Sequence, residues 1–456
     1  MFAGIEDCAE GSRPRRTDRI RAAEQRRSTG ASCSPGLVVG PHVQCGQGEF
    51  GVVFPNASWA LRPYQGANRR AVHGGCAPRE RPGCVGEVGA LVEVAVESFD
   101  ASRAARLAAY SAVSTSLALC SDRELRDLVE TAAPMGSGIG GTSALLKVGG
   151  TPVFVKRLPL TALERQPENV HSTANLFGLP TFCHPGLGVP GGPGWGAWRE
   201  LAVHTMTTNW VLAQDHEGFP LMYHWRVLPH PGQVLPEQLA DVEKAVAYWG
   251  GGPQVRRRIE ALRDSSASVA LFLEYIPQNL HDWLDVQVKA DDGTAERACT
   301  MVERELEAGT SFMNARGLLH FDGHFQNILT DGERLFFTDY GLAISSRFDL
   351  SEEEAEFFAE HRTYDRCYTV THLVQWLTTA LYGYQGDERT AFVHACARGE
   401  PPTGIPSQVA AILSRHAPIA AVMTDYYREF RFESRLTPYP LEALRRICEP
   451  DSPFIL

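Results

Sequence analysis

Lysine is nearly missing from this chain. Only Lys147, Lys156, Lys244 and Lys289 occur among 43 basic residues, and the rest are arginine. That scarcity makes a lysine in a distinctive setting informative. No apolar run approaches the ~18 residues of a membrane span, so the chain is not expected to bind a membrane by spanning it. The eleven cysteines form no C-x-x-C pair and no His/Cys pattern of zinc-finger spacing. Their irregular scatter favours free thiols in a reducing compartment. The opening "MFAGIEDCAE" lacks the basic-then-apolar order of a secretory signal, and the expected location is cytoplasmic. Positive charge is also short. The net charge is −11, with +3 over residues 1–120 and −14 over the remainder. An acidic body argues against nucleic acid as a partner, because phosphate backbones reward the opposite sign. No internal repeat is present.

What the chain does have is a globular composition, 44% hydrophobic and 21% charged over 456 residues. That is enough for two or three domains with a real core. Residues 1–85 are Arg-, Ser- and Gly-rich without an apolar period and read as a disordered extension; the basic run Arg13–Arg27 reads as a solvated tail. Residues 86–130 form a lead-in. "ALVEVAVESF" (Ala90–Phe99) alternates like a strand, while Ser102–Val113 and Ser121–Ala132 read as helices. Ser121 and Glu124 complete a capping box in the second. Residues 131–277 are strand-rich. They hold a Gly-rich turn, the strand "TPVFVKR", a Pro/Gly-rich insertion at 165–197, a helix at Ala197–Ala213 and the strands "FPLMYHWRVLP" and "SVALFLEYI". Residues 278–456 are mostly helical. Val302, Leu306, Phe312 and Met313 can share one face of a helix over Thr294–Gly317 that closes at Gly317. Thr369–Gly383 is apolar on more than one face and reads as a buried central helix. The expected fold class is α+β: a smaller β-rich part, then a larger helical one, after a poorly ordered extension.

"LLHFDGHFQNIL" (Leu318–Leu329) sets several polar side chains inside an apolar frame. Asp322 and Asn327 lie five apart, and Asp339 ends a later strand just before Gly341. Phosphoryl transfer from ATP needs a carboxylate to orient the acceptor hydroxyl and oxygen ligands to hold Mg²⁺ against the phosphates. Asp322 suits the first task; Asn327 and Asp339 suit the second. Upstream, Gly136, Gly138 and Gly141 form G-x-G-x-x-G, whose backbone N–H groups can approach phosphates closely. Alone the pattern reads as an ordinary turn. With Lys156 fifteen residues on, in "VFVK", a phosphate cradle and a cation stand together.

Residues 130–450 resemble the protein-kinase-like superfamily. "GSGIGG" resembles its glycine-rich loop, "VFVK" its lysine strand, "HFDGHFQN" its catalytic loop and "DYG" its metal-binding D-F-G turn. The resemblance implies a two-lobed fold and a phosphotransferase using ATP and Mg²⁺. In it Lys156 would grip the phosphates, Asp322 would be the catalytic base, and Asn327 and Asp339 would hold the metal. His320 would brace the loop. "LFLEYI" resembles the hinge, with the backbone of Glu274 and Ile276 meeting adenine. The glutamate partner of Lys156 is Glu200 by first choice, with Glu164 the alternative. Three departures stand out. Phe321 replaces the arginine that reads a phosphate on the activation loop, His324 replaces a lysine, and no A-P-E follows Asp339. The favoured reading is a protein serine/threonine kinase. "H-x-D-x-H-x-x-N" resembles the aminoglycoside and choline kinase branch, so a small-molecule kinase is the second reading. A pseudokinase that binds partners is the third.

The blander readings are these. His324 either bonds within its loop or meets ATP phosphate, and Asp365 either anchors the catalytic loop or lies on the surface. His184, His204 and His372 read as structural or exposed, Lys147 as a surface lysine, and Glu352–Glu356 as a solvated helix start. Trp195, Trp198 and Trp210 read as core.

Overall fold

A computed structural model describes residues 87–138, 140–187, 192–230 and 235–448. The expected disordered extension, residues 1–85, lies outside the described residues. Helix α1 is continuous over Glu87–Ala118. It absorbs the expected helix at Ser102–Val113 and corrects the strand read at Ala90–Phe99. A strand needs a neighbour to pair with, whereas extending an existing helix gains a hydrogen bond for each residue fixed. Helix α2, Asp122–Thr131, starts at the expected capping box: Glu124 N donates to Ser121 Oγ, and Ser121 N donates to the Glu124 carboxylate at 2.8 Å. Val113, Leu117, Leu125 and Val129 share a core with the sheet that follows, so the lead-in belongs to the folded body.

That sheet comprises β1 (Ala133–Gly138), β2 (Gly141–Val148), β3 (Thr151–Leu160), β4 (Met222–Pro229) and β5 (Ala267–Glu274). All its pairings are antiparallel, in the order β1-β2-β3-β5-β4. Strand β5, "ASVALFLE", has no polar alternation because both its faces are covered. Ala270 and Phe272 enter the core shared with α1 and α2. Val269, Leu271 and Leu273 enter a second, shared with Trp198 and Leu201 of α3 (Ala197–Leu212). Successive side chains point to opposite faces, so a twice-covered strand reads as a continuous apolar run.

Among its described residues the Pro/Gly-rich insertion lacks long elements, as its composition implies, yet it is packed. Leu179, Cys183, Leu187 and Trp195 share a core with Trp249, Ile259 and Leu262. Trp249 follows α5 (Val242–Tyr248), and Ile259 and Leu262 belong to α6 (Pro253–Arg263). These two, with the short α4 (Glu237–Ala240), form a helical excursion between β4 and β5 that the sequence reading passes over.

After β5 the chain is mainly helical. It runs through β6 (Gln278–Asn279), α7 (Leu280–Val288), α8 (Asp292–Ala315), β7 (Leu318–Leu319), β8 (Ile328–Thr330), β9 (Leu335–Phe337) and β10 (Ile344–Ser345). Then come α9 (Glu352–Glu360), α10 (Tyr364–Tyr382), α11 (Gly386–Ala397), α12 (Ser407–Phe432) and α13 (Leu441–Cys448). Helix α10 is the buried centre: every residue from Cys367 to Thr378 is buried, and Gly383 ends it in the left-handed conformation. In α8, Val302, Leu306 and Met313 are fully buried as expected, while Phe312 is half-buried. No helix among the described residues is long and apolar enough to cross a membrane. Two short pairings, β7 with β10 and β8 with β9, hold the loops 320–327 and 338–343 side by side.

Candidate active site

Asp365, on α10, is buried and anchors the loop 320–327 from below. Its carboxylate accepts from the backbone N–H of His320 at 2.6 Å and of Phe321 at 2.9 Å. Phe321 turns the chain with φ 62°, and its ring packs 4.6 Å from Tyr364. That conformation is strained for a residue with a Cβ and persists only where the surroundings over-determine it, as the buried Asp365 and ring contacts do here. Asp322 follows immediately. Asn327 Nδ2 donates to Asp322 Oδ2 at 3.0 Å and to its backbone oxygen at 3.1 Å, tying the two ends of the loop. His320 Nε2 lies 3.0 Å from the Thr338 carbonyl, which joins this loop to the next. In that second loop Asp339 also has a left-handed backbone, φ 65°. Tyr340 beside it donates to Phe337 O at 2.6 Å and rests its ring between His204 and His320.

Lys156 projects from β3 into the same space. Its Nζ donates to Glu200 Oε1 at 2.7 Å and to Asp339 Oδ1 at 2.9 Å. A 44-residue separation in sequence therefore closes in space. Glu164 has other work. Its carboxylate accepts from Thr161 N and Oγ1 and from Ala197 N at the start of α3, and it pairs with Arg258 at 3.4 Å. Lys147 is exposed, as expected. The glycine turn lies over Lys156. Gly136 and Gly138 lie within β1, and Gly138 has open space where a Cβ would stand. Gly141 has none: with φ +113°, a Cβ there would fall 1.9 Å from Arg157 O. The glycine nearest the lysine is Gly140, where a Cβ would meet Nζ at 3.1 Å. The G-x-G-x-x-G spacing passes over this residue.

Two cavities adjoin here, of about 170 and 80 Å³. Both are lined by Lys156, Asn327 and Asp339. The larger adds the glycine turn, Asp322, His324 and residues of the insertion and α6, among them Gly186 and Arg258. The smaller is mostly apolar, with Met135, Phe154, Leu273 and Leu329, and is closed by the segment Glu274–Pro277. Glu274 and Ile276 both border it. The Glu274 side chain turns elsewhere, accepting from Arg106 Nε at 2.8 Å and Nη2 at 2.7 Å.

Electrostatics follow from this crowding. Burial alone would push the Lys156 amine down, but Asp339 and Glu200 outweigh it and its pKa rises above that of an ordinary lysine. Burial pushes Glu200 up to about 7, against the pull of Lys156. Asp339, half-buried, is held below the usual carboxylate range by Lys156. Burial, and then the charge of Asp339, push Asp322 well above that range. The His324 ring lies with Nε2 3.8 Å from Asp322 Oδ1, and burial lowers its pKa to about 4, so it is neutral at pH 7. His184, His204 and His372 are buried and structural, and Trp195, Trp198 and Trp210 are core. Glu352–Glu356 is not wholly solvated: Glu354 is buried, which corrects that reading.

The donor set suits Mg²⁺ shared with phosphates. Among the described residues no three His, Cys, Asp or Glu side chains gather as a self-sufficient metal site. Asn327 gives its Nδ2 to Asp322, which leaves its amide oxygen for a hard cation beside Asp339. One or two protein oxygens completed by phosphate are what Mg²⁺ ordinarily takes. Besides Gly140, the residues that the sequence reading misses are Gly186, Arg258 and Arg106, which stand far from any motif and are found only through contacts. No protein-family model and no curated protein matches the chain.

Proposed function

We propose that the chain is an ATP- and Mg²⁺-dependent phosphotransferase with a protein-kinase-like arrangement, moving the γ-phosphate of ATP to a hydroxyl. One observation carries the reading. A buried lysine from the sheet meets a carboxylate from α3 and a second from the 338–343 loop, and Asp322 and Asn327 line the same cavity. Adenine fits the smaller, apolar cavity, against the backbone of Glu274 and Ile276. The phosphates then reach the larger one, under Gly138, Gly140 and Gly141. Lys156, braced by Glu200, neutralises phosphate charge. Asn327 and Asp339 would hold Mg²⁺, which would offset the charge that develops on the phosphates. Asp322 orients the acceptor hydroxyl and takes its proton. In a cleft partly shielded from solvent, such fixed charges act more strongly than in bulk water.

The turn "DYGLA" is closer to the protein-kinase pattern and favours a protein serine or threonine as acceptor. A different observation supports the second reading, a small-molecule kinase. A Cβ on Gly186 would lie 3.0 Å from Asp322 Oδ1, so the packed insertion crowds the acceptor side of the base and suits a compact substrate. Labelled ATP should be offered to the full chain alone, with generic protein acceptors and with a panel of hydroxylated amines. Transfer to any of them is expected. Transfer only to small hydroxylated compounds selects the second reading. Nucleotide binding with no transfer in any arm points to the pseudokinase.

A further inference from the structure

Glu200 meets Lys156 only while α3 keeps its rotation, and the residue before it ties that helix down. Arg199 is 2% exposed along its side chain and Glu354 1%, with Nη2 and Oε1 2.7 Å apart. Arg199 Nε also donates to Thr173 O at 2.7 Å, and its guanidinium stands 5.2 Å from the Trp195 ring and 5.4 Å from that of Phe348. Glu354 is held just as firmly. It is the third residue of α9, and its other oxygen accepts from Ser351 N at 3.1 Å while its own N–H bonds Ser351 Oγ. The pair thus joins the helix that carries Glu200 to the segment that follows Asp339. Removing one partner would leave the other charged and buried, which is strongly unfavourable.

We propose that Arg199 and Glu354 are positioning residues that form a permanent lock on α3. The fixed carboxylate of Glu354 offers α3 a negative charge without any covalent modification, so the pairing of Lys156 with Glu200 is assembled as the chain folds. Phe321 fits this account. The catalytic loop presents no arginine beside Asp322 to read a phosphate, only a ring packed on Tyr364 and Phe357. The inference rests on the phosphotransferase reading for its effect on turnover, and on geometry alone for its effect on α3.

The full chain should be compared with Glu354→Gln, which keeps size and hydrogen bonding, and with Arg199→Met and Arg199→Lys. Turnover is measured well below each melting temperature, and amide exchange is followed over 197–212 and, as a control, over 292–315. The expected result for Glu354→Gln and Arg199→Met is exchange at least tenfold faster over 197–212 only, and kcat at least tenfold lower. Arg199→Lys, which keeps the charge, should recover part of both. Phosphatase treatment, with intact mass verifying that no phosphate remains, should leave wild-type turnover unchanged. Wild-type kcat in Glu354→Gln, unaltered exchange over 197–212, or loss of turnover on dephosphorylation would each overturn the lock. If Arg199→Met does not fold, Glu354→Gln decides. If the wild type transfers no phosphate, the function proposed above fails by itself, and the exchange over 197–212 still decides whether α3 is locked.

Discussion

Asp322 and Gly141 separate chemistry from shape. Asp322→Asn keeps the size of the side chain and its tie to Asn327, but loses the charge that, in the proposed function, orients a hydroxyl and accepts its proton. Turnover should fall by roughly 10²–10⁴, the range for removing a positioned base. Nucleotide affinity, which the proposed function assigns to Lys156, the glycine turn and the metal ligands, should stay within a few-fold. Parallel measurements of turnover and nucleotide binding check this, and unchanged turnover sinks the assignment of Asp322. Gly141→Ala works the other way. Its Cβ would collide with the Arg157 backbone at a φ that side chains avoid, so the β1–β2 turn must shift. The expected outcome is nucleotide affinity weakened by about tenfold or more, since in the proposed function the turn supplies backbone donors to phosphate. The melting temperature should move little, because the turn lies at the sheet edge away from the main core. Wild-type affinity in Gly141→Ala would remove the turn from the binding site.

At the scale of elements, what was legible is what is local. Ser121 and Glu124 announce α2, the doubly apolar run of α10 announces a buried helix, and "HFDGHFQN" and "DYG" announce their loops. Outside the site, where the resemblance supplied Lys156 with Glu200, pairings between distant segments were not legible. Ala90–Phe99 has valines at alternate positions and reads as a strand, yet helix α1 continues through it. Arg106, on that helix, is 168 residues from the glutamate it clasps. It donates to both oxygens of Glu274, to Glu217 Oε2 at 2.6 Å and to Phe219 O at 2.9 Å, and it stands 5.3 Å from the Phe336 ring. So α1 ties the segment that borders the adenine-sized cavity to the hairpin β8–β9. Arg106→Ala should leave Glu274 half-buried without its cation, while Glu217 keeps Arg103 at 3.2 Å, at a cost on the order of 3 kcal/mol. Nucleotide affinity should fall at least fivefold as Glu274–Pro277 loosens. Denaturant unfolding and nucleotide titration test the two effects separately. A variant with wild-type values in both would show that α1 only covers the sheet.

At the scale of the molecule, histidine sets the response to acid. His184, His204, His320, His324, His361 and His372 are all held below the ordinary value near 6.5, in each case first by burial. His204 is pushed down to about 3, and His324 and His361 to about 4. A histidine depressed in the folded state gives stability that is present above its unfolded pKa. That stability is lost as pH falls, because the unfolded chain takes up the proton first. Between pH 6.5 and 5 each of these three should therefore cost roughly 1.5 kcal/mol. Carboxylates oppose this. Glu200, pushed up to about 7, and Asp322 and Asp365, also raised, gain protons more readily folded than unfolded. Glu200 contributes its share between about 7 and the ordinary glutamate range, which spans the same window. Among the described residues the depressed histidines, which also include His216, His224 and His230, outnumber the three raised carboxylates, so net proton uptake on unfolding should be positive near pH 6. The melting temperature should then fall by about 5 °C or more between pH 7.5 and 5.5. His204→Phe, which keeps a ring against Tyr340 without a titrating group, should flatten that dependence. A melting temperature that holds or rises over this interval would mean that the buried carboxylates govern the acid response.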